Sequence, residues 1–380
     1  MVPRSGTSVR WWVYGSPTPK LDALLADPEA VLAGPGILAR ELTGRKRFFR
    51  VDAGAAEPAL YVKVFSVPPG AKRLRYFWRR SKARLEHAIA TRLERLGFEV
   101  AAPIAVGEQR RAGVLERSYS VIRELDARDL VRVLGSGTLK RAERRALLER
   151  FARLARRLHD AGVDQDDFAP NNFLTRPDGS FVLIDFERCR VRRRALGDAR
   201  WTQLAKLHRR DLGVSRSDRL RFLRAYLGEG CGRAERREAW ERIWPEFRRI
   251  RRHDARHAAA SAFREGRNLA REGDGWVMRA RAGAKTIALE LDVESARRCW
   301  LRAQQLERLG LPSLRPVRLA GGRVELLDPG SALPRAPANH VIGRSLAALA
   351  PWGHFSAPPQ WLFTAHGALL RNPHAFELDL

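Results

Sequence analysis

Sulfur is scarce in this chain: three cysteines, Cys189, Cys231 and Cys299, and two methionines occur in 380 residues. The cysteines are too few and too scattered for a disulfide framework or a zinc site, and free thiols suit a reducing compartment. Long apolar runs are missing as well. No segment reaches the roughly 18 consecutive apolar residues that a membrane-spanning helix needs. The first 35 residues contain Trp11, Trp12 and a helical run from Leu21 to Leu32, but no stretch suited to a signal peptide. The expected location is cytoplasmic, with peripheral membrane contact open to it.

Acidic residues are the third scarcity. Against 71 Lys and Arg stand 43 Asp and Glu, a formal net charge of +28. An excess of that size speaks about partners rather than fold. Most of the cations are Arg, whose planar fork binds phosphate and carboxylate bidentately, so the surface suits a polyanionic partner. Nucleic acid fits the charge equally well.

What is present is concentrated in two short stretches. Gln165-Asp166-Asp167-Phe168-Ala169-Pro170-Asn171-Asn172 is followed by Leu183-Ile184-Asp185-Phe186-Glu187. An Asp, an Asn five residues on and a second Asp thirteen residues later have the spacing of a kinase catalytic loop and its metal-binding Asp. Phosphoryl transfer asks for position and charge neutralisation, not covalent chemistry. Asp167 is the candidate base for an attacking hydroxyl, and Asn172 and Asp185 are candidate oxygen ligands for Mg²⁺. Between them Phe173-Leu174, the turn Pro177-Asp178-Gly179 and Phe181-Val182-Leu183-Ile184 predict two short strands joined tightly, which brings both ligands to one end. A single Asp or Asn in a loop is an ordinary turn former; three at this spacing are harder to dismiss.

Upstream, Leu60-Tyr61-Val62-Lys63-Val64-Phe65 reads as a strand with one Lys among apolar residues. Burial tolerates that cation only beside an anion. The candidate partner is Glu86 on the helical run Arg84 to Leu93, with Glu94 as second choice. Lys63 then reaches the nucleotide phosphates. The turn Thr43-Gly44-Arg45-Lys46-Arg47 is the candidate phosphate cover, through Gly44 and through Arg45 or Lys46, although a lone Gly in a hairpin is usually just a turn. The backbone from Glu124 through Leu125 to Asp126 is placed to bind adenine between two lobes.

These residues resemble the lipopolysaccharide-core kinase family, bacterial kinases that phosphorylate heptose or 3-deoxy-manno-octulosonic acid (Kdo) on the lipid A core. The resemblance spans about residues 35 to 230. It rests on Tyr61-Val62-Lys63-Val64, the Glu86 helix running into Leu96-Gly97-Phe98-Glu99-Val100, Ser118 to Leu125, and the catalytic stretches with Ile184-Asp185-Phe186-Glu187-Arg188. It implies Lys63 on phosphate, Glu86 orienting it, Asp167 as base, Asn172 and Asp185 on metal, ATP and Mg²⁺ as cofactors, and an anionic glycolipid acceptor at the inner-membrane surface. Arg188, Arg190, Arg192 and Arg193 border the acceptor site in that reading. Two positions depart from the pattern: Gln165 stands where His is common and Asp166 where Arg is common, so the internal anchoring of the loop must differ.

The fold implied is α+β, a two-lobed protein-kinase-like plan with an additional C-terminal α+β unit. Its expected parts are an N-terminal extension at 1–35, an N-lobe at 36–127, a C-lobe at 128–265 and a further unit at 266–380. That last unit holds an internal echo. Leu306-Glu307-Arg308-Leu309-Gly310 with Pro316 to Gly322 parallels Leu93-Glu94-Arg95-Leu96-Gly97 with Pro103 to Gly107. Aligned so, Glu290 falls where Lys63 stands and Cys299 where Glu86 stands, and the tail Leu369 to Leu380 resembles the catalytic hairpin up to the Asp185 position. The reading is a degenerate second kinase-like unit, against a generic α+β appendage.

Two other functions compete. A small-molecule or aminoglycoside-type phosphotransferase shares the chemistry but calls for an acidic acceptor pocket, which the Arg188 to Arg194 run opposes. A non-catalytic basic scaffold on membrane or nucleic acid leaves Lys63, Glu86, Asp167, Asn172 and Asp185 without a role, so nucleic acid is set aside as partner. The run Lys72-Arg73-Leu74-Arg75-Tyr76-Phe77-Trp78-Arg79-Arg80 reads either as a membrane-interface segment or as a helix packing its aromatics on the lobe. No feature specifies an oligomer.

Overall fold

The computed structural model describes residues 3–328 apart from 7–8, 36, 44–45, 53–56, 71–72, 74–75, 208–213, 229, 266–268, 282–283, 310 and 312; beyond 328 it describes short pieces, chiefly 353–355, 361–364, 367–370 and 376–378. The chain forms two compact units, one from Met1–Leu207 with Leu212–Glu241, the other chiefly from Arg242–Leu380.

The first unit opens with strands β1 (Pro3–Gly6) and β2 (Val9–Val13), then helices α1 (Pro19–Ala26) and α2 (Pro28–Ala33). The helical run expected through Leu32 is thus two helices. Pro28 lacks the N–H that a continuing helix needs, and Asp27 caps the second helix by accepting from Ala30 N–H at 3.0 Å. Strands β3 (Leu38–Thr43), β4 (Lys46–Val51) and β5 (Leu60–Ser66) follow, then helix α3 (Lys82–Arg95) and strands β6 (Ala105–Arg111) and β7 (Val114–Arg123). All seven strands form one antiparallel sheet in the order β1-β2-β6-β7-β5-β4-β3. The first 35 residues therefore add two strands to the lobe's sheet.

Alternation along β5 sorts its faces. Val62 and Val64 enter the core with Trp11, Leu21, Leu24, Phe49 and Val51, which leaves Tyr61, Lys63 and Phe65 on the other face. α3 begins at Ser81, whose hydroxyl accepts from Arg84 N–H, and ends with Arg92 and Arg95 in its last turn, so both termini are satisfied in the usual sense.

Below the sheet lie β8 (Arg128–Asp129), α4 (Leu130–Gly135), the long α5 (Arg141–Asp160), β9 (Val163–Gln165), the hairpin β10 (Phe173–Thr175) and β11 (Phe181–Leu183), β12 (Cys189–Val191), α6 (Ala199–Leu207) and α7 (Arg216–Leu227). The predicted hairpin is present, with Phe173 opposite Leu183. It rests on α5 through Phe151, whose ring lies 4.8 Å from Phe173 and 5.6 Å from Phe181. β9 pairs with β12, Gln165 opposite Cys189.

Helix α8 (Arg233–Ser261) carries the chain into the second unit, the division falling at Glu241/Arg242 rather than near 265. There β13 (Leu269–Glu272), β14 (Gly275–Met278), β15 (Thr286–Glu290), α9 (Val293–Leu309), β16 (Pro316–Ala320) and β17 (Arg323–Leu327) build a sheet ordered β13-β14-β16-β17-β15. This repeats β1-β2-β6-β7-β5, antiparallel at each step, with α9 placed between β15 and β16 as α3 is between β5 and β6. The counterparts of β3 and β4 are missing from the described sheet.

One row makes the correspondence concrete. Trp12 pairs with Val106, Val106 with Ser120 and Ser120 with Lys63; in the second unit Trp276 pairs with Leu319, Leu319 with Val324 and Val324 with Leu289. Leu289, not Glu290, occupies the Lys63 position. The sequence alignment was one residue out because it carried no strand register, and a one-residue slip exchanges the two faces of a strand. Leu289 packs against the core that holds buried Cys299.

The tail is corrected in the same way. β19 (Trp361–Thr364) and β20 (Gly367–Leu370) form the hairpin, and β18 (Gly353–Phe355) pairs with β21 (Phe376–Leu378) as β9 pairs with β12. Leu370 bridges Ser313 in parallel as Leu183 bridges Val100. Five residues separate β20 from β21, as five separate β11 from β12, so the sequence position matching Asp185 is Asn372, which itself lies outside the described residues.

Candidate active site

Lys63 projects from the β5 face opposite the core and is 5 % exposed. Its Nζ lies 2.5 Å from Glu86 Oε1 on α3 and 3.5 Å from Asp185 Oδ1. Burial opposes the charge on Lys63, but Glu86 and Asp185 outweigh it and its pKa is raised above the usual lysine value. Breaking such a buried pair from one side costs about 3–5 kcal/mol, because the partner stays buried and charged.

Asp185 is held in place by its neighbours. Its φ is +64°, in the left-handed region that a non-glycine residue adopts only when its surroundings demand it. Gln165, 2 % exposed, donates Nε2–H to the Asp185 carbonyl at 3.3 Å. Phe186, beside it, is fully buried. Ile184 N–H donates to the Asn172 carbonyl at 3.0 Å, so the hairpin sets the two expected metal ligands on adjoining strands' ends. Burial would raise the Asp185 pKa, but Lys63 and then Lys46 reverse that and leave it lowered, so this carboxylate stays ionised at neutral pH.

The catalytic loop leaves Asp167 exposed, while Asp167's carbonyl accepts from Asn172 Nδ2 at 2.7 Å. Asn172 Oδ1 in turn accepts from Asn171 Nδ2 at 2.9 Å. Asp166, the second departure, is tied through its backbone: its N–H donates to the Arg188 carbonyl and its carbonyl accepts from Lys206 Nζ at 2.8 Å.

Two lysines add to the site, Lys46 from the expected phosphate-covering turn and Lys82 at the start of α3. Lys46, at the start of β4, lies 3.4 Å from both Asp185 carboxylate oxygens and 3.2 Å from Glu187 Oε1. Lys82, the first residue of α3, lies 3.5 Å from Glu187 Oε2. Of the two turn cations expected to cover phosphate, alternation puts Lys46, across from Phe65, on the Lys63 side of the sheet. Gly44 and Arg45 lie outside the described residues.

At the expected hinge, Glu124 N–H donates to the Ala59 carbonyl at 2.7 Å, so that donor is spent within the lobe. The Glu124 carboxylate receives Arg50 Nε and Nη2, each at 3.0 Å, and the Tyr61 hydroxyl at 2.9 Å. The Arg50 bonds hold its pKa below the usual carboxylate value. Leu125 packs with Tyr61, Leu174 and Ile184 around Ala101, Ile122 and Val182, an apolar group reaching from sheet to hairpin. Of the acceptor-side arginines, Arg188, Arg190 and Arg193 are exposed, whereas Arg192 is engaged by Asp164 through Nε at 3.0 Å and Nη2 at 2.5 Å.

A buried Lys paired to a helical Glu, next to a carboxylate and an amide on one hairpin, can hold a polyphosphate and its counter-ion beside an exposed Asp. A family model described as lipopolysaccharide kinase (Kdo/WaaP) family matches residues 37–226, half of the chain. The lipopolysaccharide core heptose(I) kinase WaaP of Pseudomonas aeruginosa is 26% identical over 250 residues, covering 62% of this chain and 90% of that protein. The 3-deoxy-D-manno-octulosonic acid kinase of Vibrio cholerae is 27% identical over 126 residues, covering 33% of this chain and 50% of its own length. Among solved structures, WaaP in complex with acyl carrier protein aligns with a TM-score of 0.42 and 28% identity, covering 60% of this chain and 91% of that one.

Proposed function

The chain belongs to the lipopolysaccharide kinase (Kdo/WaaP) family, and from that premise we propose that it transfers the terminal phosphoryl group of ATP to a heptose or Kdo hydroxyl of the lipopolysaccharide inner core. The observation that carries the reading is Lys63, buried, 2.5 Å from Glu86 and 3.5 Å from Asp185. Lys63 holds phosphate oxygens and Glu86 orients it. Asp167 accepts the proton of the acceptor hydroxyl and orients its oxygen for attack. Tyr61, Leu125, Leu174 and Ile184 supply the apolar surface for the base.

Asn172 and Asp185 would hold Mg²⁺. Their hard oxygen donors suit that ion, and two lysines drawn to the Asp185 carboxylate support a position suited to cationic charge. When bound, the ion neutralises charge on the phosphates. The exposed Arg188, Arg190 and Arg193 match phosphate and carboxylate groups of a glycolipid core, and the natural setting is the inner-membrane surface. Among the described residues no helix is long and apolar enough to cross a membrane.

An acceptor panel tests the substrate class. Purified core oligosaccharide is expected to take label from ATP, and kanamycin is not; transfer to kanamycin with none to core would favour the antibiotic-type phosphotransferase.

The second unit we read as a kinase-like copy without the phosphoryl machinery. Supporting this, Leu289 and Cys299 stand at the Lys63 and Glu86 positions, and the loop between β18 and β19, Ser356-Ala357-Pro358-Pro359-Gln360, contains neither Asp nor Asn.

A further inference from the structure

The connection between β5 and α3 carries aromatic and basic residues that phosphoryl transfer does not use. Of the run from Lys72 to Arg80, Arg73 and Tyr76–Arg80 are described. The segment is fastened at its base. Arg73 Nε donates to the Val67 carbonyl at 3.0 Å, and Arg110 Nη1 donates to the carbonyls of Tyr76 and Gly113, each at 3.0 Å. Arg110 is itself held by buried Glu108, its Nε 3.0 Å from Oε2. The Phe77 ring lies over Gly113 so closely that a Cβ there would meet it at 2.9 Å. Only glycine serves at that position, since its φ is also +78°.

Trp78, the next residue, is 85 % exposed, and Arg79 and Arg80 beside it are exposed too. Phe77 packs on Gly113 while staying 45 % exposed, and the Trp78 indole beside it is left in water. An exposed indole flanked by guanidinium groups has the chemistry of the boundary between headgroups and acyl chains: the ring prefers that layer, and the arginines meet lipid phosphates.

We propose that Trp78, Arg79 and Arg80 dock this chain on an anionic lipid bilayer. The net charge of +28 draws the molecule to such a surface, and the patch supplies a highly exposed indole to enter it. Phe77 and Trp78, their ring centroids 5.9 Å apart and tilted, make one compact apolar tip suited to a bilayer interface rather than a row of rings along which successive bases would stack. Placement gives the contact a use that rests on the kinase reading: Lys82, two residues after Arg80, reaches Glu187 beside Asp185, so the patch borders the transfer site. A chain docked there meets acceptors anchored in the same bilayer.

Sedimentation of the full chain with phosphatidylglycerol vesicles, at about 0.15 M salt where surface charges are partly screened, tests the docking apart from catalysis. Wild type is expected to bind these vesicles and to bind phosphatidylcholine vesicles far less. Trp78→Ser should weaken partition about tenfold, and Arg79→Ser with Arg80→Ser about thirtyfold, with unchanged far-ultraviolet circular dichroism. Transfer to a delipidated, soluble core should match wild type in both variants, so a failure of the kinase reading shows as absent wild-type transfer while vesicle binding stands. Equal vesicle binding by wild type and both variants would overturn the proposal. Loss of single-stranded RNA binding with vesicle binding intact would overturn it in favour of a nucleic-acid surface.

Discussion

At residue scale the site turns on how Asp185 is held at φ +64°. Gln165 looked like a departure in the sequence, yet its amide donates to the Asp185 carbonyl and is buried under the loop. Gln165→Leu keeps the volume and removes the donor, so kcat should fall about tenfold or more while ATP affinity changes little, and Gln165→His should recover most of the rate. A loss confined to ATP affinity, or no recovery with His, would mean that Gln165 does not position Asp185. Lys63 and Glu86 were readable from the chain because a lone cation in an apolar strand demands an anion, and Asp185 from its spacing to Asp167 and Asn172. The role of Lys46 was not, because its partners lie 139 and 141 residues away and are chosen by strand register.

At the scale of elements, the catalytic hairpin and α3 were readable because turn residues and helical period mark them directly. The joining of β1 and β2 to the sheet was not, since pairing partners far apart in sequence leave no local trace. Strands of two or three residues, such as β8, β9 and β12, are likewise too short to show alternation. The end of α5 also carries a pH dependence. His159 is buried, its Nδ1 2.8 Å from the Tyr226 hydroxyl, and burial lowers its pKa to about 4. Below about pH 6.5 the unfolded chain takes up a proton that the folded chain refuses until about pH 4. Stability is therefore level above that window and falls as pH drops through it, by up to roughly 3 kcal/mol. Thermal melts between pH 7 and 4.5 should show this decline, and His159→Gln, which cannot titrate, should flatten it; an undiminished slope in the variant would assign the loss to other groups.

At the scale of the whole molecule, two units share a strand order and differ in chemistry. The echo around Leu306 to Gly310 was readable because a helix ending in Gly keeps its pattern; the Leu289 and Asn372 equivalences were not, because they follow from pairing. Among the described residues β3, β4 and the paired Lys63 and Glu86 belong to the first unit, so calorimetric titration with an ATP analogue should give one nucleotide per chain, abolished by Lys63→Ala. Two sites, or one that survives this change, would contradict the degenerate reading of the second unit. The central claim is that Asp185 serves phosphoryl transfer to the lipopolysaccharide core, and magnesium-dependent transfer of label from ATP to purified core by wild type and Asp185→Ala tests it most directly. The expected result is transfer by wild type and a loss of about a thousandfold or more in the variant; wild-type turnover by Asp185→Ala would contradict the account.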